Sequence, residues 1–220
     1  MKKLVIFGLG DMAILAHYYF SGDPDYQVCA FSVTKEFIND QKKTMFNLPI
    51  VPFEDINALY PPDQYVMFIA VGYKNLNKER ANLYNAAKQM GYNLATYIHP
   101  KATVLTPIIG DNCFIFEDNT IQPFVEIGNN VILWSGNHIG HHTIIDDHCF
   151  ITSHVVLAGR TYLGKYSFVG VNATIIDDVK VAENCIIGAG SLITKDTNPG
   201  TVYKMKAAEL SAVPSDKVQL

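Results

Sequence analysis

From Ile127 the chain reads Ile127-Gly128-Asn129-Asn130-Val131-Ile132, then Leu133-Trp134-Ser135-Gly136-Asn137-His138, then Ile139-Gly140-His141-His142-Thr143-Ile144. Each block of six opens on an aliphatic residue. Outward from this stretch the same phase runs unbroken through Ile109, Ile115, Ile121, Ile127, Leu133, Ile139, Ile145, Ile151, Leu157, Leu163, Val169, Ile175, Val181, Ile187 and Ile193. Four positions after each stands a small or β-branched residue in most copies, such as Cys113, Val125, Thr143, Cys149, Ala173 and Cys185; Asn119 and Asn137 are the polar exceptions. A fixed short period marks a solenoid. Three six-residue strands make one triangular coil, which stacks residues eighteen apart, with the aliphatic filling the interior and the small residue the tighter slot beside it.

The pattern resembles the left-handed parallel β-helix of the hexapeptide acyltransferases. Its second slot holds Gly110, Gly128, Gly140, Asp146, Ala158, Gly164, Gly170, Ala182 and Gly188, as that family's does. The left hand is implied by the resemblance, because general chain chirality favours right-handed crossovers.

The 220 residues leave room for two modest domains. Hydrophobic content of 49% with 17% charged residues fits an ordered globular protein. A net charge of -4 without a basic run argues against a nucleic-acid partner. Apolar stretches such as Val66 to Val71 are too short to span a bilayer. Met1 to Gly8 lacks the long apolar region and cleavage site of a signal peptide, so it reads as a first strand and the protein as cytoplasmic. Cys113, Cys149 and Cys185 lie 36 residues apart on one stack. Two coils separate them by about 9.6 Å. A disulfide needs Cα atoms within about 7 Å, so they read as core fillers.

Ahead of the repeat, strands and helices alternate. Lys2 to Phe7, Gln27 to Val33, Leu48 to Val51, Tyr65 to Val71 and Leu94 to Ile98 read as strands. Helices follow Gly10, start at Pro52 and run from Asn75 to Met90. This implies a small parallel, Rossmann-like sheet over residues 1–100, a β-helix over 101–198 and a C-terminal tail over 199–220 that caps the coil or reaches a neighbour. Gly8-Leu9-Gly10-Asp11 lies between a strand and a helix, where glycines admit close approach of a phosphate. Ala13 replaces the third glycine of a dinucleotide fingerprint, and the second strand ends Phe31-Ser32-Val33-Thr34 without a carboxylate, which disfavours NAD.

The whole chain resembles the PglD- and NeuD-type sugar acetyltransferases. The resemblance rests on Val5-Ile6-Phe7-Gly8-Leu9-Gly10, Ile69-Ala70-Val71-Gly72, Ile98-His99-Pro100-Lys101-Ala102 and Asn137-His138-Ile139-Gly140-His141-His142. It implies an acetyl-CoA-dependent N-acetyltransferase of a nucleotide-linked amino sugar in bacterial surface glycan synthesis, working as a homotrimer. It also implies that His141 is the general base. The chain departs from the family in lacking its Gly-Gly-His turn and in placing His142 where an acidic residue often follows the base.

Imidazole suits a base because it titrates near neutrality. His138, His141, His142, His148 and His154 fall within seventeen residues. His141 sits at a corner with Gly159 one coil on and Asp177 beyond. Gly159 is expected to leave an open slot and a free backbone N–H for the thioester oxygen. His142, His138, His154 and Trp134 are candidates for support, whereas His148, beside Asp146 and Asp147, reads as a surface corner residue. Donor-binding candidates are Gly159, Asn172, Asp177, Gly188, Ala189 and Lys195. Acceptor candidates are Gly8, Gly10, Asp11, Tyr73, Lys74 and Asn75, which follow two parallel strands. Two flat-faced neighbours are needed to wall a donor cleft, which also favours a cyclic trimer. No metal is expected: a γ-class carbonic anhydrase would need an earlier histidine partner that the repeat lacks. Sugar O-acetylation and a non-catalytic scaffold are the alternatives.

Overall fold

A computed structural model describes residues 1–38, 43–210, 212–213 and 215–217. Strand β1 (Lys2–Phe7) is followed by α1 (Asp11–Ser21), β2 (Tyr26–Val33), β3 (Thr44–Met45), β4 (Leu48–Pro52), α2 (Ile56–Leu59), β5 (Tyr65–Ile69) and α3 (Lys78–Gln89). The sheet order is β3-β4-β2-β1-β5. All its pairings are parallel except β3 with β4, an edge hairpin absent from the sequence reading. Phe46 and Asn47 both take positive φ at its tip, as a two-residue primed turn demands.

Two expected elements differ. Helix α3 begins at Lys78, because Asn75, Leu76 and Asn77 form a left-handed run with φ between 50 and 63°. Its buried face also includes Arg80 and Tyr84, so the apolar pattern described only part of it. The expected strand Leu94–Ile98 is split. Leu94 bridges Met67 in the first sheet, whereas Tyr97–Ile98 pairs with Phe114–Ile115 as the first rung of the coil.

From there the chain winds as a left-handed β-helix with three faces. The first face stacks Tyr97–Ile98, Phe114–Ile115, Ile132–Leu133, Phe150–Ile151, Phe168–Val169, Ile186–Ile187 and, from the tail, Val202–Tyr203. The second runs from Thr103–Val104 through His138–Ile139 to Leu192–Ile193. The third holds Glu126–Ile127, Ile144–Ile145, Tyr162–Leu163 and Lys180–Val181. Every rung pairs in parallel, and partners such as Glu126 and Ile144 are 18 residues apart. The repeat aliphatics from Ile115 to Ile193 and the three expected cysteines form one buried core, and all the cysteines are free thiols.

The first face turns its outward side chains to the first domain. Phe114, Phe116, Ile132 and Phe150 are buried with Phe20, Phe68 and Tyr97, and Trp134 and Phe168 pack at the margin. Phe68 meets Phe114 at 5.1 Å between ring centroids, near edge-on. Beside this seam, Arg80 is fully buried and donates to the Gly72, Asn130, His148 and Cys149 carbonyls and to the Asn77 and Asn130 side-chain oxygens. Its guanidinium is lowered to about 10 by burial. Asn112 receives the Ile69 N–H and donates to Asn130, which contacts His148 at 2.9 Å. The corner residues of successive coils thus form a ladder that fastens β5 and α3 to the β-helix.

Candidate active site

Each corner of the coil contains one residue with positive φ. The series is Asn112, Asp118, Phe124, Asn130, Gly136, His142, His148, His154, Arg160, Tyr166, Asn172, Asp178, Asn184 and Gly190. Asparagine, aspartate, histidine and glycine tolerate this region best. Backbone geometry therefore accounts for His142, His148 and His154. The histidines do not form one cluster: His148 lies on the corner facing the first domain, His154 on the next, and His141 with His142 on the third. His138 stands half-buried on a second-face strand.

His148 is not the surface residue its acidic neighbours suggested. It is 7% exposed, stacks on Tyr166 at 5.0 Å and belongs to the interdomain ladder. Burial lowers its pKa despite the opposing pull of Asp147. Trp134 stacks on Phe116 at 4.8 Å within the aromatic seam, with its indole nitrogen buried and unpartnered. His154 lies over Gly136, where a Cβ would come within 2.6 Å of the ring.

His141 is exposed and does not use the left-handed slot. Its backbone N–H donates to Gln122 Oε1 at 2.8 Å, and its Nδ1 lies 3.1 Å from Nδ1 of His142. The other side of the ring lies over Gly159: a Cβ there would stand 2.7 Å from Cε1 and 2.9 Å from Nε2. The glycine thus leaves room for the ring itself. Its N–H was expected to be free but donates to Asp177 Oδ1 at 3.0 Å. A thioester oxygen must find another donor. Lys195 occupies the same stack and is exposed, whereas Asn172, Gly188 and Ala189 lie on the preceding corner. The Gly188 N–H is taken by the Tyr203 carbonyl. A single chain therefore does not bring all the expected donor residues together.

In the first domain a cavity of about 530 Å³ opens at the carboxyl ends of β1, β2 and β5. Gly8, Gly10 and Asp11 line it, as expected. Gly8 takes φ +123°, and a Cβ would stand 2.7 Å from the Ala70 carbonyl oxygen, so backbone crossing requires this glycine. Gly10 caps α1, and a Cβ there meets open space. Tyr73, Lys74 and Asn75 do not line the cavity. Tyr73 packs on Phe150 and Phe168, Lys74 pairs with Glu79, and Asn75 sits in the left-handed run. The sequence reading missed Thr34, Glu36, Phe37 and Asn82 on the cavity wall. Glu36 supplies a carboxylate shortly after β2, which the end of the strand itself lacked. No group of three His, Cys, Asp or Glu side chains converges among the described residues.

Among known proteins, the model of bacterial transferase hexapeptide repeats matches residues 106–140, 124–159 and 160–195. An acyl-[acyl-carrier-protein]--UDP-N-acetylglucosamine O-acyltransferase of Nautilia profundicola is 31% identical over 110 residues, covering 47% of this chain and 42% of that protein. The chain thus spans less than half the length of that relative. PerB from Caulobacter crescentus, solved in complex with CoA and GDP-perosamine, superposes with a TM-score of 0.80 at 23% identity, over 94% of this chain and 98% of that one. The acetyltransferase domain of PglB from Neisseria gonorrhoeae, solved with acetyl coenzyme A, gives 0.78 at 24% identity over 91% and 95%. Residues 106–195 match the bacterial transferase hexapeptide repeats, and the chain as a whole has the two-part fold of the PerB and PglB structures.

Proposed function

We propose that the protein transfers an acetyl group from acetyl-CoA to the amine of a nucleotide-linked sugar, in bacterial surface glycan synthesis. The observation that carries this reading is His141. It is an exposed imidazole with Nδ1 engaged by His142 and its Nε2 side turned over a glycine. Such a nitrogen can take the amine proton as the nucleophile attacks the thioester carbonyl. The first-domain cavity holds the nucleotide half. Backbone N–H groups at the start of α1 suit a diphosphate. Asp11, Glu36 and Glu79 suit hydroxyl and base N–H donors rather than phosphate. PerB's complex with CoA and GDP-perosamine supports the same pairing of substrates.

Donor candidates split between two corners make sense if a second copy completes the cleft, as in a homotrimer. No helix among the described residues is long and apolar enough to cross a membrane. This accords with work on a nucleotide-linked substrate in the cytoplasm. The test is a thiol-release assay with acetyl-CoA and a panel of nucleotide-linked amino sugars and their hydroxy counterparts. Turnover with an amino sugar that vanishes in His141→Ala supports the reading. Turnover only with hydroxy sugars replaces it with O-acetylation, the chemistry borne in the name of the Nautilia relative. No turnover with any acceptor favours a scaffold.

A further inference from the structure

We propose that His142 is the positioning residue for His141, fixing its tautomer through a direct imidazole–imidazole hydrogen bond. The inference rests on His141 as the base and names what orients it. The two Nδ1 atoms are 3.1 Å apart, with the rings near perpendicular at 87°. That geometry lets one ring nitrogen donate in the plane of the other's lone pair. One proton lies between them. If His141 donates it, Nε2 of His141 carries the free lone pair and faces the slot over Gly159. If His142 donates it, His141 Nε2 is protonated and useless as a base. Only the first arrangement persists when Nε2 takes a proton from the substrate, because both nitrogens of the imidazolium are then donors.

The corner holds His142 for this contact. The residue takes φ 59°, and its ring packs on Phe124 at 4.7 Å. Phe124 also takes positive φ, at 64°, while 68% exposed. That region is poorly populated by bulky residues. Elsewhere the corner slot is filled mostly by asparagine, aspartate, histidine or glycine. Here Phe124, in a conformation costly for a bulky residue, backs the imidazole that touches His141.

The charged groups around the pair come from the following coils, namely Asp177 and the Arg160–Asp178 ion pair with Nε to Oδ1 at 2.6 Å. The preceding coil places Gln122, Pro123 and Phe124 at the same corner, with Glu126 under Ile144 on the adjoining face.

The test uses the full chain labelled with ¹⁵N-histidine. At pH above 7.5, His141 is expected to hold its proton on Nδ1. It should revert to the Nε2–H form in His142→Gly, which suits the left-handed backbone, and keep Nδ1–H in His142→Asp, whose carboxylate accepts. In turnover, His142→Gly should lose about tenfold in kcat, the scale of one hydrogen bond, with both KM values unchanged. His142→Asp should recover it. An Nε2–H His141 in the wild type, or His142→Gly with wild-type kcat, overturns the proposal. Full activity in His141→Ala instead sinks the base reading; the tautomer result needs no acceptor and separates the two failures.

Discussion

At the residue scale, the corner slots explain why histidines recur along one stretch of the coil. His142, His148 and His154 each occupy a position where the backbone is left-handed. His141 stands outside the series, and replacing it with Ala should lower kcat by about 10²–10⁴-fold with little change in acetyl-CoA binding, read by steady-state kinetics and calorimetry. Gly159→Ala tests the geometry from the other side. Its Cβ would stand 2.7 Å from His141 Cε1, while the backbone φ allows alanine. Displacement of a base by about 1 Å can cost about 10²-fold, so turnover should fall while the circular dichroism stays native. The motif Ile139-Gly140-His141 was legible in sequence. What was not legible was the fate of the Gly159 N–H, because Asp177 fills it only when the coils stack.

His148 carries a pH prediction. Its folded pKa is lowered by burial, so between about 6.5 and that lower value the unfolded chain binds a proton that the native chain refuses. Its stabilising contribution is fully present above about pH 6.5 and is lost as pH falls to the folded value, below which the loss levels off. Asparagine tolerates the same φ. His148→Asn should therefore flatten the decline of urea midpoint below pH 6.5, and an unchanged slope would refute the assignment.

At the element scale, the six-residue period dictated the rungs from Phe114 to Ile193, because one inward aliphatic per strand leaves no other register. The outward column at Phe114, Ile132, Phe150, Phe168 and Ile186 was equally present in the sequence, at a spacing of eighteen. It went unread because it makes sense only once a second domain is known to cover that face. Helix α3 was misjudged for a related reason. Arg80 and Asn77 look like solvent-facing residues, yet both are buried, because their partners are carbonyls and amides of remote coils. Arg80→Met should cost about 3 kcal/mol or more in urea unfolding, since it strips several buried acceptors of a donor at once.

At the scale of the whole molecule, the first-domain cavity and His141 lie on different parts of one chain, and the proposed donor residues lie on two corners. The protein should therefore run as a trimer in light scattering at micromolar concentration, with a stable monomer counting against the shared cleft. Calorimetry should give binding of GDP or UDP over NAD, and Gly10→Val should weaken it. The added side chain would enter the open space beside the cavity wall and leave the fold intact. Tight NAD binding without response to any sugar nucleotide would overturn the acceptor assignment.

The aromatic seam and Arg80 divide the work of docking in an unequal way. The seam is nearly periodic along the coil, so its apolar contacts would survive a slip of the first domain by one coil, a step of about 4.8 Å. Arg80 has less freedom, because it reads two coils at once: it takes the Asn130 side-chain oxygen and carbonyl on one and the His148 and Cys149 carbonyls on the next, and a slip of one coil towards His148 would put an imidazole where the Asn130 amide accepts. The hydrophobic surface thus supplies adhesion, and the buried cation supplies the address. Loss of that address would misplace the first-domain cavity by a whole coil relative to the β-helix. A weakened variant would then fail by mis-seating as well as by melting, and would appear as two coexisting docked populations in its interdomain NMR contacts.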